Sequence, residues 1–186
     1  MNKVLLTYAS KYGSTREIAE RVGEVLCRAG LQVDVLPVKE AHDLSAYRAV
    51  ILGSAIYIDK WPKEAVRFLQ SHERLLAERP VWLFSSGPTG KGDPVDLVEG
   101  KRLPVELEGV VSRIHPRDVA VFHGNIDLEK VNSIEKWAIK NLKKKPFGDF
   151  RDWNRTDEWA VFVAAAMQKV EMSSASSSQP GSLEPL

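Results

Sequence analysis

The chain has 186 residues, of which 44% are hydrophobic and 27% charged, the balance of one globular domain with its own core. Its formal net charge of +1 provides no overall field that would favour nucleic acid as a partner. The single cysteine, Cys27, excludes an intramolecular disulfide, and its place in a predicted helix indicates a buried packing role. We find no signal peptide and no apolar run near the ~20 residues of a membrane span, so we expect a cytoplasmic protein.

Short apolar runs alternate along the chain with segments that carry apolar residues at helical spacing. This alternation is typical of an α/β fold, a parallel sheet covered by helices on both faces. In chain order the predicted elements are a strand at 3–9, a helix at 15–29, strands at 32–36 and 49–54, a helix at 62–77, a strand at 81–86, a helix at 105–112, a strand at 118–122, and helices at 128–143 and 156–168.

The elements form one domain, residues 1–170, with no internal repeat and no dividing linker. The end of the chain, residues 171–186, is rich in serine and proline. Such a segment buries too little apolar surface to offset its loss of conformational entropy, so we predict that it is disordered.

Three loops of this sheet are candidates for a ligand site. Ligands of doubly wound sheets bind beyond the carboxyl ends of the strands, where the strand order reverses. The loops that follow the first, third and fourth predicted strands are therefore the places to examine. We call them the first loop (residues 10–15), the second loop (residues 53–61) and the third loop (residues 85–93).

The first loop has the composition of a phosphate site at the start of a helix. Gly13 permits a tight turn, and the free N–H groups of the helix point at the anion. Ser10, Ser14 and Thr15 add hydroxyl donors. The simpler alternative is a helix cap by Ser14 or Thr15, with Glu17 near the third helical position. A cap needs one hydroxyl and this loop has three, so the composition favours a phosphate.

Three other phosphate-binding patterns are missing from the sequence. Without G-x-G-x-x-G, the chain does not hold NAD or FAD in the Rossmann manner. The run at residues 90–92, Gly-Lys-Gly, lacks the Ser or Thr of a P-loop and follows the wrong strand. A response-regulator receiver needs an aspartate at the end of the third strand, where this chain has Gly53 and Ser54.

Two stretches carry a family resemblance. TYASKYGSTREIAERV (residues 7–22) resembles the phosphate loop of flavodoxins, [ST]-x-[ST]-x-G-x-T, and VILGSAIYIDKW (residues 50–61) resembles their second flavin loop. Within this superfamily the sequence is most similar to the branch that includes menaquinone-dependent protoporphyrinogen oxidase, which shares an opening close to GSTREIA. The charged and aromatic run KKKPFGDFRDW (residues 143–153) also recurs in related flavodoxin-domain proteins.

The resemblance implies a five-stranded parallel sheet of flavodoxin-like order 2-1-3-4-5 in three αβα layers, whereas the elements alone also allow the Rossmann order. It further implies one noncovalently bound FMN. The residues that it assigns to this cofactor are Ser10, Lys11, Tyr12, Gly13, Ser14 and Thr15 at the phosphate, Ser54, Ala55, Ile56 and Tyr57 along the ring and ribityl chain, and Ser86, Gly87, Pro88, Thr89 and Gly90 on the other side of the ring.

Several side chains near these loops have two interpretations. Tyr57 and Trp61 are candidates to stack on the flavin ring, and for Trp61 packing within its own domain is an equal alternative. Trp82 is predicted to lie in the core. His123 ends the fifth strand, where a solvated or capping role is favoured over contact with a substrate. We find no acid–base dyad or triad and assign no catalytic side chain.

The function that the resemblance implies is that of an FMN-dependent oxidoreductase acting on a small molecule or a quinone, with protoporphyrinogen as one candidate. A flavodoxin-type electron carrier for a redox protein partner is the first alternative, although such carriers are strongly acidic. The second is a flavin-free interaction module, because the bulk of Tyr12 could obstruct the phosphate. The charged segment that extends the third loop is a candidate substrate lid and contains Asp93, Asp96, Glu99, Lys101 and Arg102.

A basic cluster lies near Phe147 and Trp153. It could contact the anionic inner face of a membrane as a peripheral protein does, which would suit a quinone. Equally, its cations could complement the C-terminus of a helix. The cluster consists of Lys140, Lys143, Lys144 and Lys145, with Arg151 beyond.

Overall fold

The computed structural model describes residues 3–129 and 146–176. Its central sheet has five parallel strands in the order β2-β1-β3-β4-β5, which confirms the predicted order 2-1-3-4-5. The strands are β1 (Lys3–Ala9), β2 (Gln32–Pro37), β3 (Tyr47–Ala55), β4 (Val81–Ser86) and β5 (Asp118–Phe122).

Helices cover both faces of the sheet. Those of the described residues are α1 (Ser14–Arg28), α2 (Lys63–Ser71), α3 (Glu73–Ala77), α4 (Glu108–Ile114) and α5 (Trp153–Ser176). A short antiparallel ribbon follows β5 and pairs β6 (Asn125–Ile126) with β7 (Gly148–Asp149).

The central strands β1, β3 and β4 are largely apolar runs because they bury both of their faces, whereas the edge strand β2 is only half-buried. Along β1, Val4 and Leu6 belong to a cluster that includes residues of α1 and α5, whereas Leu5 and Ala9 belong to a second cluster with residues of α2 and α4. The two clusters lie on opposite sides of the sheet, as the alternation of side chains along a strand requires. The predicted three-layer αβα architecture is therefore confirmed.

Two local predictions differ from the structure. The helix predicted at 62–77 is two helices, because His72 has non-helical dihedral angles (φ −111°, ψ 11°) between α2 and α3. Cys27 was predicted to be buried, but it is exposed. The apolar face of α1 is formed by neighbours such as Val25 and Leu26, and Cys27 lies outside that face.

The C-terminal helix is longer than its apolar pattern predicts. It starts at Trp153 and continues to Ser176, beyond the predicted end at residue 168, while the disorder of the tail stays a prediction. Serine and alanine are tolerated in a helix, so a Ser-rich sequence can extend one that packing has already started. The predicted helix at 128–143 falls mainly on residues 130–145, and these and residues 177–186 lie outside the described residues. No helix of the described residues is long and apolar enough to cross a membrane.

Candidate functional site

The three loops meet at the carboxyl edge of the sheet. The Thr15 and Ser86 hydroxyl oxygens lie 2.8 Å apart and join the first loop to the third. The Ile56 amide donates to the Ser86 carbonyl at 2.8 Å, which joins the second loop to the third. The Lys11 amide donates to the Tyr57 hydroxyl at 3.2 Å and joins the first loop to the second. The adjacency expected from the sheet order is thus observed.

The first loop leads into α1 through Gly13, whose backbone conformation is favourable only for a residue without a side chain. Gly13 has φ +93° and is the N-cap residue, and no side chain of the described residues caps the helix. The Ser10 hydroxyl instead accepts from the Gly13 amide at 3.1 Å, and the Ser14 hydroxyl accepts from the Asn125 amide at 3.1 Å. The alternative of a plain cap by Ser14 or Thr15 is therefore wrong.

The second loop ends in a tight turn of unusual backbone conformation. Tyr57 and Lys60 exchange two backbone hydrogen bonds, of 2.8 and 3.1 Å, around Ile58 and Asp59. Both central residues have positive φ, 51° and 59°, and a β-branched residue such as Ile58 adopts this conformation only at a cost. Ile58 is also 71% exposed. Strained residues of this kind cluster at functional sites, so the turn belongs to the candidate site.

Two tyrosines stand between the first and second loops. The rings of Tyr12 and Tyr57 are edge to face, with centroids 5.9 Å apart. Burial raises the pKa of the Tyr57 hydroxyl above its ordinary value, so this group stays protonated at neutral pH. The Tyr12 ring thus packs against Tyr57.

The two tryptophans near the site belong to the interior of the domain. Trp61 is 3% exposed, and its indole N–H donates to the Ser85 hydroxyl at 3.0 Å. Because Trp61 is buried within its own domain, the packing alternative is favoured over stacking on a ligand. Trp82 is 1% exposed, which confirms its predicted place in the core.

The third loop is held by the residues that follow β5. The His123 ring is 8% exposed, with Nδ1 3.3 Å from the Pro88 carbonyl and Nε2 3.0 Å from the Gly92 carbonyl. The Gly124 amide also donates to the Pro88 carbonyl, at 3.0 Å. The predicted solvated role of His123 is wrong, because the loop folds over the ring and places a carbonyl within hydrogen-bond distance of each nitrogen, of which the tautomer decides the one that donates.

One buried hydroxyl of the third loop has no partner. Thr89 is 6% exposed, and its Oγ1 finds no hydrogen bond among the described residues. Buried polar groups are nearly always bonded, so an orphan of this kind needs an explanation. A ligand with polar atoms beside Pro88 and Gly90 would provide one. Of the assigned second-loop residues, Ser54 is fully buried, and its hydroxyl donates to the Ala55 carbonyl.

The candidate lid is anchored at its two ends, Asp93 and Arg102. The Arg155 guanidinium donates to the Asp93 carboxylate at 2.9 Å, and this bond holds the Asp93 pKa below its ordinary value. At the other end the Ser85 hydroxyl donates to the Arg102 carbonyl at 2.9 Å, and the Arg102 side chain donates to the Val119 carbonyl at 2.8 Å. Both ends of the segment are therefore fixed to the rest of the domain.

The basic cluster differs from its prediction at Arg151. This side chain is 8% exposed, forms ion pairs with Glu17 and Asp149, and lies 4.7 Å from the centroid of the Trp153 ring. Arg151 therefore adds little to an exposed basic surface, because its side chain is buried and its charge is paired with two carboxylates. The four lysines lie outside the described residues, and membrane contact stays a prediction.

Sequence reasoning missed Gly124 and Asn125 of this arrangement, and it gave His123 and Arg151 other roles. Each acts on a loop that lies far from it in the chain, so no local pattern marks it. The nearest signal was the run GDFRDW at residues 148–153, in which an arginine stands between two aspartates beside aromatic residues.

Known proteins share this fold. A flavodoxin from the domain Archaea is 16% identical, with a TM-score of 0.57, over 89% of this chain and 99% of that chain. A flavodoxin from Streptococcus pneumoniae TIGR4 is 21% identical, with a TM-score of 0.55, over 88% of this chain and 99% of that chain. Rubredoxin oxygen:oxidoreductase from Desulfovibrio gigas is 20% identical, with a TM-score of 0.57, over 91% of this chain and 37% of that chain.

No curated protein sequence matches the chain. The sequence profile of the family described as Flavodoxin domain matches residues 5–152, which include all three loops and the ribbon up to Arg151. The uncapped helix behind Gly13 and the unpartnered Thr89 hydroxyl fit the flavin cofactor that this family implies. The chain belongs to the flavodoxin-domain family.

Proposed function

We propose that the protein is an FMN-dependent oxidoreductase that moves electrons between its flavin and a small molecule or quinone. The observation that carries this proposal is the start of α1, where Gly13 has φ +93° and no described side chain caps the helix. Backbone N–H groups at such a helix end, together with the positive end of the helix dipole, favour a phosphate monoester.

The chain's residues have separate tasks in this proposal. The N–H groups at the start of α1 and the Ser14 and Thr15 hydroxyls bind the phosphate. The Thr89 hydroxyl offers a donor to the polar edge of the ring, and His123 fixes the loop that carries it. When bound, FMN supplies one- and two-electron transfer, and the protein tunes it through hydrogen bonds and access.

The choice of a small acceptor rests on charge and shape. A formal net charge of +1 gives little attraction for a strongly charged redox protein. The exposed Ile58 at the tip of the second loop offers an apolar contact beside the tyrosines. A porphyrinogen is a finer candidate within the same class of substrate, supported by the resemblance of the GSTREIA stretch.

An electron carrier for a protein partner is the second candidate. It is supported by the flavodoxins of similar fold, which correspond to this chain over 99% of their own length. It requires a flavin edge that a protein surface can reach, and the exposed turn at Ile58 leaves that approach open.

The experiment that separates the two candidates is anaerobic reoxidation. The chain is loaded with FMN, reduced, and mixed in a stopped-flow instrument with either a short-chain quinone or a one-electron redox protein. The proposal expects fast, saturable reoxidation by the quinone and slower reoxidation by the protein. The reverse order would make the chain a carrier, and a chain that never retains FMN would overturn both candidates.

A further inference from the structure

We propose that Arg151 sets the preference of the site for a phosphorylated flavin by neutralising Glu17 beside the first loop. This inference rests on the proposed function, because it concerns the phosphate of the FMN proposed there. Arg151 is then a positioning and charge-compensating residue, although it lies at the other end of the domain sequence.

The geometry places a carboxylate against the first loop. Glu17 lies in the first turn of α1, and a methyl group built on Gly13 would be 3.8 Å from its Oε1. The Glu17 amide donates to the Gly13 carbonyl at 3.0 Å, so the backbone and the side chain of Glu17 are both next to the loop.

Arg151, two residues after strand β7 of the ribbon, binds this carboxylate. Its Nη1 donates to Glu17 Oε2, while its Nε and Nη2 donate to the two Asp149 carboxylate oxygens at 2.8 and 2.6 Å. Trp153 covers the guanidinium at 4.7 Å from its ring centroid. Its hydrogen bonds to Asp149 and Glu17 raise the Arg151 pKa, so the guanidinium is charged at any physiological pH.

The ribbon is itself fastened to the first loop. The Asn125 amide of β6 donates to the Ser14 hydroxyl at 3.1 Å, and β6 pairs with Asp149 of β7. The Phe150 amide donates to the Gly124 carbonyl at 3.2 Å. The guanidinium is thus held in one place relative to the loop and does not need to be ordered when a ligand binds.

The electrostatic consequence concerns the phosphate in particular. A phosphate monoester carries about −1.5 to −2 charges at pH 7. An unpaired Glu17 carboxylate would repel this charge across a partly buried space, where screening by solvent is weak. Arg151 is shared between Glu17 and Asp149, so it lowers the net charge of these groups and weakens the repulsion that the phosphate meets at the N–H groups of α1. Riboflavin has no phosphate and is indifferent to the pair.

A purely structural role for Arg151 would give a different result. An arginine that only joins the ribbon to α1 would, when lost, weaken FMN and riboflavin alike, and removing the Glu17 charge would not repair the loss. Arg21 provides a matched control. It joins α1 to α5 through two 2.7 Å bonds to Asp157, but it lies more than a turn beyond Glu17 along the helix.

The test measures FMN and riboflavin dissociation constants for the wild type, R151Q, E17Q, the double variant and the control R21Q. We expect R151Q to weaken FMN about tenfold or more with little change for riboflavin, because of the uncompensated charge. The double variant should recover FMN affinity to within about threefold of the wild type, and R21Q should leave the FMN-to-riboflavin ratio unchanged.

Equal weakening of both flavins in R151Q, or no recovery in the double variant, would overturn the inference. If R151Q does not fold, E17Q alone keeps the test decisive, since it should tighten FMN but not riboflavin, and an unchanged ratio would count against the inference. A wild type that binds neither flavin would overturn the proposed function instead, and one that binds both equally would overturn the phosphate assignment.

Discussion

The first and third loops flank the same site, yet they are built in opposite ways. The turn of the first loop at Gly13 includes a local bond, from the Gly13 amide to the Ser10 hydroxyl three residues away, although Ser14 and Thr15 also bond to distant segments. The third loop is shaped by His123, whose ring lies between the Pro88 and Gly92 carbonyls, 35 and 31 residues away in the chain. A loop of the first kind can be recognised from a short motif, whereas a loop of the second kind becomes visible only when the fold brings its supports together.

The largest effect should come from G124A, which attacks the support of the third loop. A methyl group on Gly124 would lie 2.8 Å from the Gly87 Cα and 3.2 Å from its N and C atoms. Since these are backbone atoms that cannot turn aside, we expect a loss of about 2–3 kcal/mol in the free energy of unfolding, the upper range for overpacking. Urea denaturation measures this loss, and a loss below that of G30A would contradict the account.

The second effect concerns the first loop and G13A. Gly13 has φ +93° but no atom closer than 3.8 Å to a new methyl group, so only backbone strain of about 1–2 kcal/mol is expected. Gly30 is the matched control, because it has φ +89° and nothing within 4 Å. Both variants should lose similar stability in urea, but only G13A should bind FMN more weakly. Equal FMN affinity in the two variants would remove Gly13 from the site.

The third effect tests one hydroxyl of the first loop. Thr15 is 1% exposed and its Oγ1 lies 2.8 Å from the Ser86 Oγ, so T15A removes this bond together with the proposed phosphate contact. We expect FMN affinity to fall by about 1–2 kcal/mol, the cost of a lost hydrogen bond to a charged group. Fluorescence titration with FMN provides the measurement. S86A is the control, since it breaks the same bond and keeps Thr15, and it should weaken FMN less than T15A does.

The smallest effect is a pH dependence at the third loop. The hydrogen bonds from Arg155 and the Val95 amide lower the Asp93 pKa, so its folded value is below its unfolded value. The stability that Asp93 contributes is therefore fully present above about pH 4, the ordinary carboxyl pKa, and is lost as the pH falls through the lowered value. The difference in melting temperature between the wild type and D93N should shrink as the solution is acidified below that point. A difference that persists or grows in acid would show that the Asp93 charge contributes no stability.

Sequence reasoning succeeded where structure is local. The strand at 81–86 and the fifth strand at 118–122 follow from apolar runs, the first loop follows from its glycine and hydroxyls, and the sheet order follows from the family resemblance, because the elements alone also allowed the Rossmann order. It failed where a side chain serves a distant segment. The sequence favoured a solvated or capping role for His123 and a basic surface for Arg151, because an isolated polar residue has no visible partner in the sequence. The prediction that Cys27 is buried was wrong for a simpler reason. A residue beside the apolar face of a helix differs by only one position in the sequence from a residue within that face.

The central claim is that the first loop holds the phosphate of FMN, and the most direct measurement is the absorbance spectrum of the purified chain after incubation with FMN and desalting. We expect bands near ~370 and ~450 nm, the signature of oxidised flavin, at about one flavin per chain. The same treatment with riboflavin should leave much less flavin bound. A chain that stays colourless after FMN, or that retains riboflavin equally well, would contradict the claim.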